Sequence, residues 1–212
     1  MDIIITTNWE YLDKDVYHGN CTDRLSDKWV LDSLRLAKAL EKEEFNYVFC
    51  SDIGYRRTTT DIIFEQLRDK DFQIIVDQNL REKNAEICPI LLWEKKEEGT
   101  KDSAEQRQIL NRLFIKSDVI SYENNWADET DDQVRLRCKT FLIDLFKHYP
   151  SDAKIVIVGN PIFNSFLIAT FLLRERDQIN YLATRCSISR FTFRDWRSKG
   201  ISFNEIWHLY WA

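Results

Sequence analysis

The 212 residues are 44% apolar and 31% charged, with 13 Phe, 8 Tyr and 7 Trp, enough for a buried core of ordinary size and unlike any collagen, low-complexity tract or disordered tail. Only 5 Gly and 3 Pro leave few tight turns, which favours long regular elements over a sandwich of many short strands. A formal charge of −5, with acidic and basic residues interspersed, disfavours generic nucleic-acid binding.

Along the chain, Ile3 to Thr6, Tyr47 to Cys50 and Lys154 to Val158 are short β-branched apolar runs bounded by polar or turn residues, the pattern of buried strands in a parallel sheet. Between the first two, Asp27 to Glu43 carries Trp29, Leu36 and Leu40 at helical spacing, so strand, helix and strand make a βαβ unit. A helix over Arg57 to Arg68 and a strand over Phe72 to Val76 continue the alternation. Trp93 to Asn125 is charged and irregular, an excursion with a helix around Glu105 to Phe114. Asp131 to His148 holds Val134, Cys138, Phe141, Leu142 and Leu145 on one face, the clearest amphipathic helix of the chain. After the Lys154 strand, Asn160-Pro161 is a helix start, with Asn at the N-cap and Pro at the first helical position, leading an apolar helix over Ile162 to Leu173. Ser187 to Phe193 and Glu205 to Trp211 close the chain as strands.

No Pro/Gly/Ser linker or internal repeat divides the sequence, so residues 1–212 read as one α/β domain with the excursion at about 93–125. The longest apolar runs are too short or too broken to cross a bilayer, and the start lacks a basic region and a cleavage site. The expected location is the cytoplasm. The 5 widely spaced cysteines, with no Cys-x-x-Cys pair, read as reduced and mostly buried thiols.

In an open parallel sheet, ligands bind beyond the carboxyl ends of the strands. There lie Thr7-Asn8-Trp9-Glu10, Ser51-Asp52 through Arg56-Arg57, Leu80-Arg81-Glu82 and Gly159-Asn160. In order, these segments resemble the motifs of the histidine phosphatases, the phosphoglycerate mutase-like superfamily. Thr7-Asn8-Trp9-Glu10-Tyr11 stands in the place of Arg-His-Gly-Glu-Thr, and Leu25-Ser26-Asp27-Lys28-Trp29 resembles the Leu-Thr-x-x-Gly helix start. Cys50-Ser51-Asp52-Ile53 with Arg56, Arg57 and Thr59 is similar to Ser-Ser-Asp-Leu-x-Arg-Ala-x-x-Thr-Ala, and Leu80-Arg81-Glu82 to Leu-x-Glu. Asp128-Glu129-Thr130 resembles Gly-Glu-Ser, Val158-Gly159-Asn160-Pro161 resembles Val-Ser-His-Gly-Gly, and Arg185-Cys186-Ser187-Ile188-Ser189 resembles Asn-Cys-Ser-Ile-Ser. The resemblance implies a mostly parallel central sheet flanked by helices on both faces.

It also implies a site from which the chemistry has been removed. In the family a His attacks phosphorus, two Arg and a second His surround the phosphoryl group, and a Glu protonates the leaving group. Here the nucleophile position is Asn8, the first Arg is Thr7 and the second His is Asn160, while Arg57 (or its neighbour Arg56) and Glu82 keep the family's type. A carboxamide nitrogen has its lone pair drawn into the carbonyl and cannot attack phosphorus as imidazole does. Losing one charge-stabilising donor alone commonly costs on the order of 10²-fold in rate. Trp9 replaces the glycine that lets phosphate approach the backbone.

The ligand-binding candidates are therefore Thr7, Asn8, Arg57, Glu82 and Asn160, with Glu82 alone as a candidate acid or base. Three of them have a plainer reading: Arg57 as a surface residue in the first turn of a helix, Glu82 as its salt-bridge partner, and Asn160 as a helix cap. The acidic run Asp128 to Asp132 lacks the spacing and glycine of a calcium loop and reads as a solvated helix start. No metal or cofactor is expected. The expected function is a pseudophosphatase binding an anionic or polar small molecule or a protein partner. The alternative is a diverged enzyme in which Glu82, with His18 or Asp52, runs acid–base chemistry on an anionic small molecule. Neither nucleic acid nor membrane is an expected partner, and the sequence leaves the oligomeric state open.

Overall fold

The structure is a computed structural model that describes residues 1–7, 27–52, 54–81, 83, 129–174, 181, 184, 186–195 and 197–210, with backbone alone for 27–29 and 54–58. Asn8, Trp9, His18, Glu82, the excursion at 93–125 and its helix near Glu105 to Phe114 lie outside these residues, as do the side chains of Arg56 and Arg57.

The apolar β-branched runs form strands β1 (Asp2–Thr7), β2 (Tyr47–Cys50), β3 (Gln73–Val76) and β4 (Lys154–Gly159), followed by β5 (Ile188–Arg194) and β6 (Arg197–Glu205). The helical periods become α1 (Asp27–Leu40), α2 (Gly54–Gln66), α3 (Asp131–His148) and α4 (Pro161–Phe171), with short 3-10 turns at Gln78–Leu80 and Trp207–Leu209. One six-stranded sheet results, in the order β3-β2-β4-β1-β5-β6. Its first four strands are parallel, and β5 and β6 add antiparallel to β1.

Strands covered on both faces are apolar on both. Ile3, Ile5, Phe49, Ile155 and Ile157 pack against Val134, Cys138, Phe141 and Leu145 of α3 and Phe163, Phe166 and Phe171 of α4. The opposite face sets Ile4, Val48, Cys50, Val156 and Val158 against Leu36, Ala37 and Leu40 of α1 and Ile63 and Phe64 of α2. This explains why the strands read as unbroken apolar runs. Aromatic rings meet edge to face across the first core, Phe49 on Phe141 at 5.5 Å and Phe171 on Phe191 at 5.4 Å between centroids. Cys50, Cys138 and Cys186 are buried in these two cores. Among the described residues no helix is long and apolar enough to cross a membrane.

The acidic run before α3 is a helix start. Thr130 accepts from the Gln133 N–H at 3.3 Å while Gln133 Oε1 accepts from the Thr130 N–H at 2.7 Å, a complete capping box. Thr130→Ala is expected to cost about 1 kcal/mol. Urea unfolding should show it as a lower midpoint at unchanged slope.

The sequence misplaces one element at the end of the chain. Glu205 to Trp211, expected as a strand, contains a 3-10 turn, and the last strand runs earlier, over Arg197–Glu205. That segment has little apolar content because it is a sheet-edge strand, where polar side chains discourage pairing with another chain. Asn204, at φ 53°, sits inside β6 at an irregularity where the pairing with β5 shifts register between Ile188 and Arg190.

Candidate functional site at the carboxyl ends of β1 and β4

The helix after β1 packs on one face of the sheet and the helix after β4 on the other, which makes the ends of these neighbouring strands the switch point where ligands bind in open α/β sheets. The register places Thr7 opposite Gly159, and Asn8 and Asn160 are the residues next along the chain from that pair. Adjacent strands lie about 4.8 Å apart. The described Asn160 is 3% exposed.

Thr7 faces inward. It is 1% exposed, and its hydroxyl accepts from Asn164 Nδ2 at 2.9 Å; the same amide donates to the Thr6 carbonyl at 3.1 Å. Asn164 lies in α4, whose residues from Phe163 to Phe171 are all buried, so its amide has no solvent to satisfy it and bonds the end of β1 instead. The strand opposite can pass this close only as glycine: a Cβ on Gly159 would stand 2.3 Å from Asn164 Oδ1. The Thr7 carbonyl accepts from the Cys186 N–H, and Cys186, in the left-handed region at φ 49°, receives at its own carbonyl a bond from His208 Nε2 at 2.8 Å. That bond puts the proton on Nε2. His208 Nδ1 is buried with no hydrogen-bond partner among the described residues. Burial pushes the imidazole below its usual 6.5, against the opposing pull of the Cys186 carbonyl.

Asn160 occupies the N-cap position with extended backbone and Pro161 behind it, and its carbonyl accepts from the Asn164 N–H at 2.7 Å. Its side chain makes no capping bond, so helix capping does not account for the residue. This corrects the plainer reading of Asn160.

The rim beyond β2 and β3 is a lattice of ion pairs. Asp52, just after β2, is gripped in a bidentate pair by Arg81, with Nε to Oδ1 at 2.7 Å and the second nitrogen on Oδ2, which raises the Arg81 guanidinium further. Lys83, 6% exposed, reaches Asp131 at 2.6 Å. Arg137 pairs with Glu129 at 2.6 Å, and Arg135 with Asp132 at 2.7 Å. Each of these cations faces a carboxylate, so none stands as an isolated charge for a phosphoryl group. The acidic residues expected to line a solvated helix start are thus partners of this lattice. Among the described residues no group of three or more His, Cys, Asp or Glu is placed to hold a metal ion.

The structure therefore brings Thr7 and Asn160 to one place and carries Arg57 on α2, its side chain outside the described residues, as is all of Glu82. Sequence reasoning passed over Asn164 and Arg137, and read His208 as a structural residue of a last strand, where the structure has a 3-10 turn. The first two carried a signal: an amide inside an apolar helix, and an Arg within the Val134, Cys138, Phe141 stripe. Both are polar residues on buried faces, which occur only with partners.

A family model for the histidine phosphatase superfamily (branch 1) matches residues 7–206. Among solved structures, the chain superposes on Bacillus stearothermophilus YhfR with a TM-score of 0.72 at 18% identity, covering 98% of each chain. Phosphoglycerate mutase from Bacillus anthracis gives 0.72 at 13% identity, over 98% of this chain and 94% of that one. The alpha-ribazole phosphatase from Shigella flexneri gives 0.71 at 15%, over 97% and 96%. No curated protein sequence matches. At these identities the solved structures establish the shared fold, and the family model, which takes in both β1 and β4 ends, establishes descent: the chain belongs to the histidine phosphatase superfamily, branch 1.

Proposed function

We propose that this protein is a pseudophosphatase of the cytoplasm, a histidine-phosphatase domain that binds an anionic or polar small molecule, or a protein partner, without phosphohistidine chemistry. One observation carries the reading. At the paired ends of β1 and β4 stand a threonine and a carboxamide where phosphoryl transfer needs a guanidinium and an imidazole, and the threonine hydroxyl is turned inward onto Asn164. Asn8 supplies no imidazole at the nucleophile position. The ion-paired rim adds support, because its cations are already matched by carboxylates. Asp52, held at both oxygens by Arg81, is poorly suited to proton transfer, which weakens the acid–base alternative built on it.

The test is turnover of p-nitrophenyl phosphate together with trapping of an acid-labile phosphoprotein. The expected result is hydrolysis at the buffer rate and no trapped phosphate. Hydrolysis that Glu82→Gln abolishes would establish an enzyme and overturn the proposal. Thr7→Arg is a poor choice for restoring activity, since it would drive a guanidinium into the buried contact with Asn164.

A further inference from the structure

We propose that the outer face of α3 is a self-association surface, on which a second copy of this chain lies antiparallel. The inner stripe of α3, Val134, Cys138, Phe141 and Leu145, is committed to the core. On the opposite side Leu136 is 65% exposed and Ile143 60% exposed, two turns apart along one line of the helix. Exposed Thr140 stands between them, and exposed Asp132 and Lys147 close the line at its two ends. Positions 136, 140, 143 and 147 alternate steps of four and three, the spacing of a two-helix seam. A single surface Leu needs no account, but an aliphatic pair at seam spacing with opposite charges at its two ends is complementary to a reversed copy of itself.

The charges choose the partner and its direction. With Leu136 set against the partner's Ile143, and Ile143 against the partner's Leu136, Asp132 comes level with the partner's Lys147 and Lys147 with the partner's Asp132. A parallel pairing would set Asp132 on the partner's Asp132 and Lys147 on the partner's Lys147, like charges at both ends. Asp132 is held by Arg135 at 2.7 Å, yet its side chain is 92% exposed and has room for a second cation. Thr140 falls beside the two-fold axis, where a small side chain lets the helices approach, while Lys139, on the border of the stripe, carries its ammonium past the seam to water on a long stem. A contact of one helix per copy is smaller than a standard interface, so the dimer forms in the high-micromolar range. None of these residues belongs to the strand-end site, so the surface and the ligand reading stand or fall separately.

The experiment is sedimentation equilibrium of the full chain from micromolar to millimolar concentration, which should fit a monomer–dimer equilibrium. Leu136→Glu, and separately Ile143→Lys, should weaken association by on the order of 100-fold, since each change strikes the seam twice. Both positions are exposed, so the fold, followed by circular dichroism, should be kept. Asp132→Lys should weaken association roughly tenfold by turning two attractive pairs into repulsive ones, and Asp132→Lys combined with Lys147→Asp should restore it. The double variant keeps any damage that Asp132→Lys does to the helix start, so recovery reports on the pairing itself. A chain that stays monomeric at millimolar concentration would overturn the proposal and leave this face to solvent or to a different protein. A dimer indifferent to Leu136→Glu would overturn it too, and its loss in Ile74→Lys would place the contact at the edge of β3, where Ile74 is 45% exposed. Equal weakening in Asp132→Lys and in the double variant would overturn the antiparallel register.

Discussion

Gly159→Ala is expected to destabilise the protein by about 3 kcal/mol, the sum of overpacking and of a buried bond given up. The added methyl would meet Asn164 Oδ1 at 2.3 Å and Cγ at 3.2 Å. Asn164 is fully buried and cannot swing outward, and its amide is committed to the Thr6 carbonyl and the Thr7 hydroxyl. Either β4 withdraws from α4 or the amide turns away and leaves the end of β1 without its partner. For a chain of this size the thermal midpoint should fall by roughly 6–12 °C. The cause is isolated by a double-mutant cycle. Asn164→Ala should be strongly destabilising alone, and in its background Gly159→Ala should cost under about 1 kcal/mol, because the clash has gone. Strict additivity would mean that the glycine is needed for some other reason.

The second large effect is expected at His208. Replacing it with Phe removes the donor to the Cys186 carbonyl in a buried place, at a cost of about 1–3 kcal/mol. Gln can present an N–H near the position of Nε2 and should recover much of the loss. The wild type should also show a pH dependence that both variants lack. The folded imidazole titrates below its ordinary 6.5, chiefly through burial and secondarily through Arg190, against the Cys186 carbonyl and the carboxylates of Asp32 and Glu205. Below about pH 6.5 the unfolded chain binds the proton first, so this contribution is complete above that pH and is lost as pH falls toward the folded value. Urea midpoints at pH 7.5 and 5.5 check this. The difference between them should be larger in wild type than in His208→Gln, and an equal difference would remove His208 as its source.

The regular elements were legible wherever local pattern decides them. β2 falls on Tyr47–Cys50 and α3 on Asp131–His148, where an apolar run or a helical stripe is closed by polar residues or a Pro. The order of motifs gave the position of Asn160 beyond β4, but its side-chain behaviour was not readable, since the cap preference of Asn describes a tendency of helix starts and not one particular rotamer. The inward turn of Thr7 was hidden because it depends on a bond to Asn164, from a helix distant in sequence. Arg137 looked like one charge among many until the backbone of the Asn79 turn came within reach of it. β6 was missed for the opposite reason: its sequence is mostly polar, as suits an edge, so no apolar run marks it as a strand.

The location of β1 has a consequence for how the protein is made. Its two neighbours in the sheet are β4 and β5, so Asp2 finds its cross-strand partners only at Lys154 and Thr192. During synthesis the Ile3-Ile4-Ile5 segment leaves the ribosome long before either flank exists, and for that interval it is a sticky, two-sided template for mispairing. Pairing of β1 on either edge therefore waits until β4 and β5 have been made.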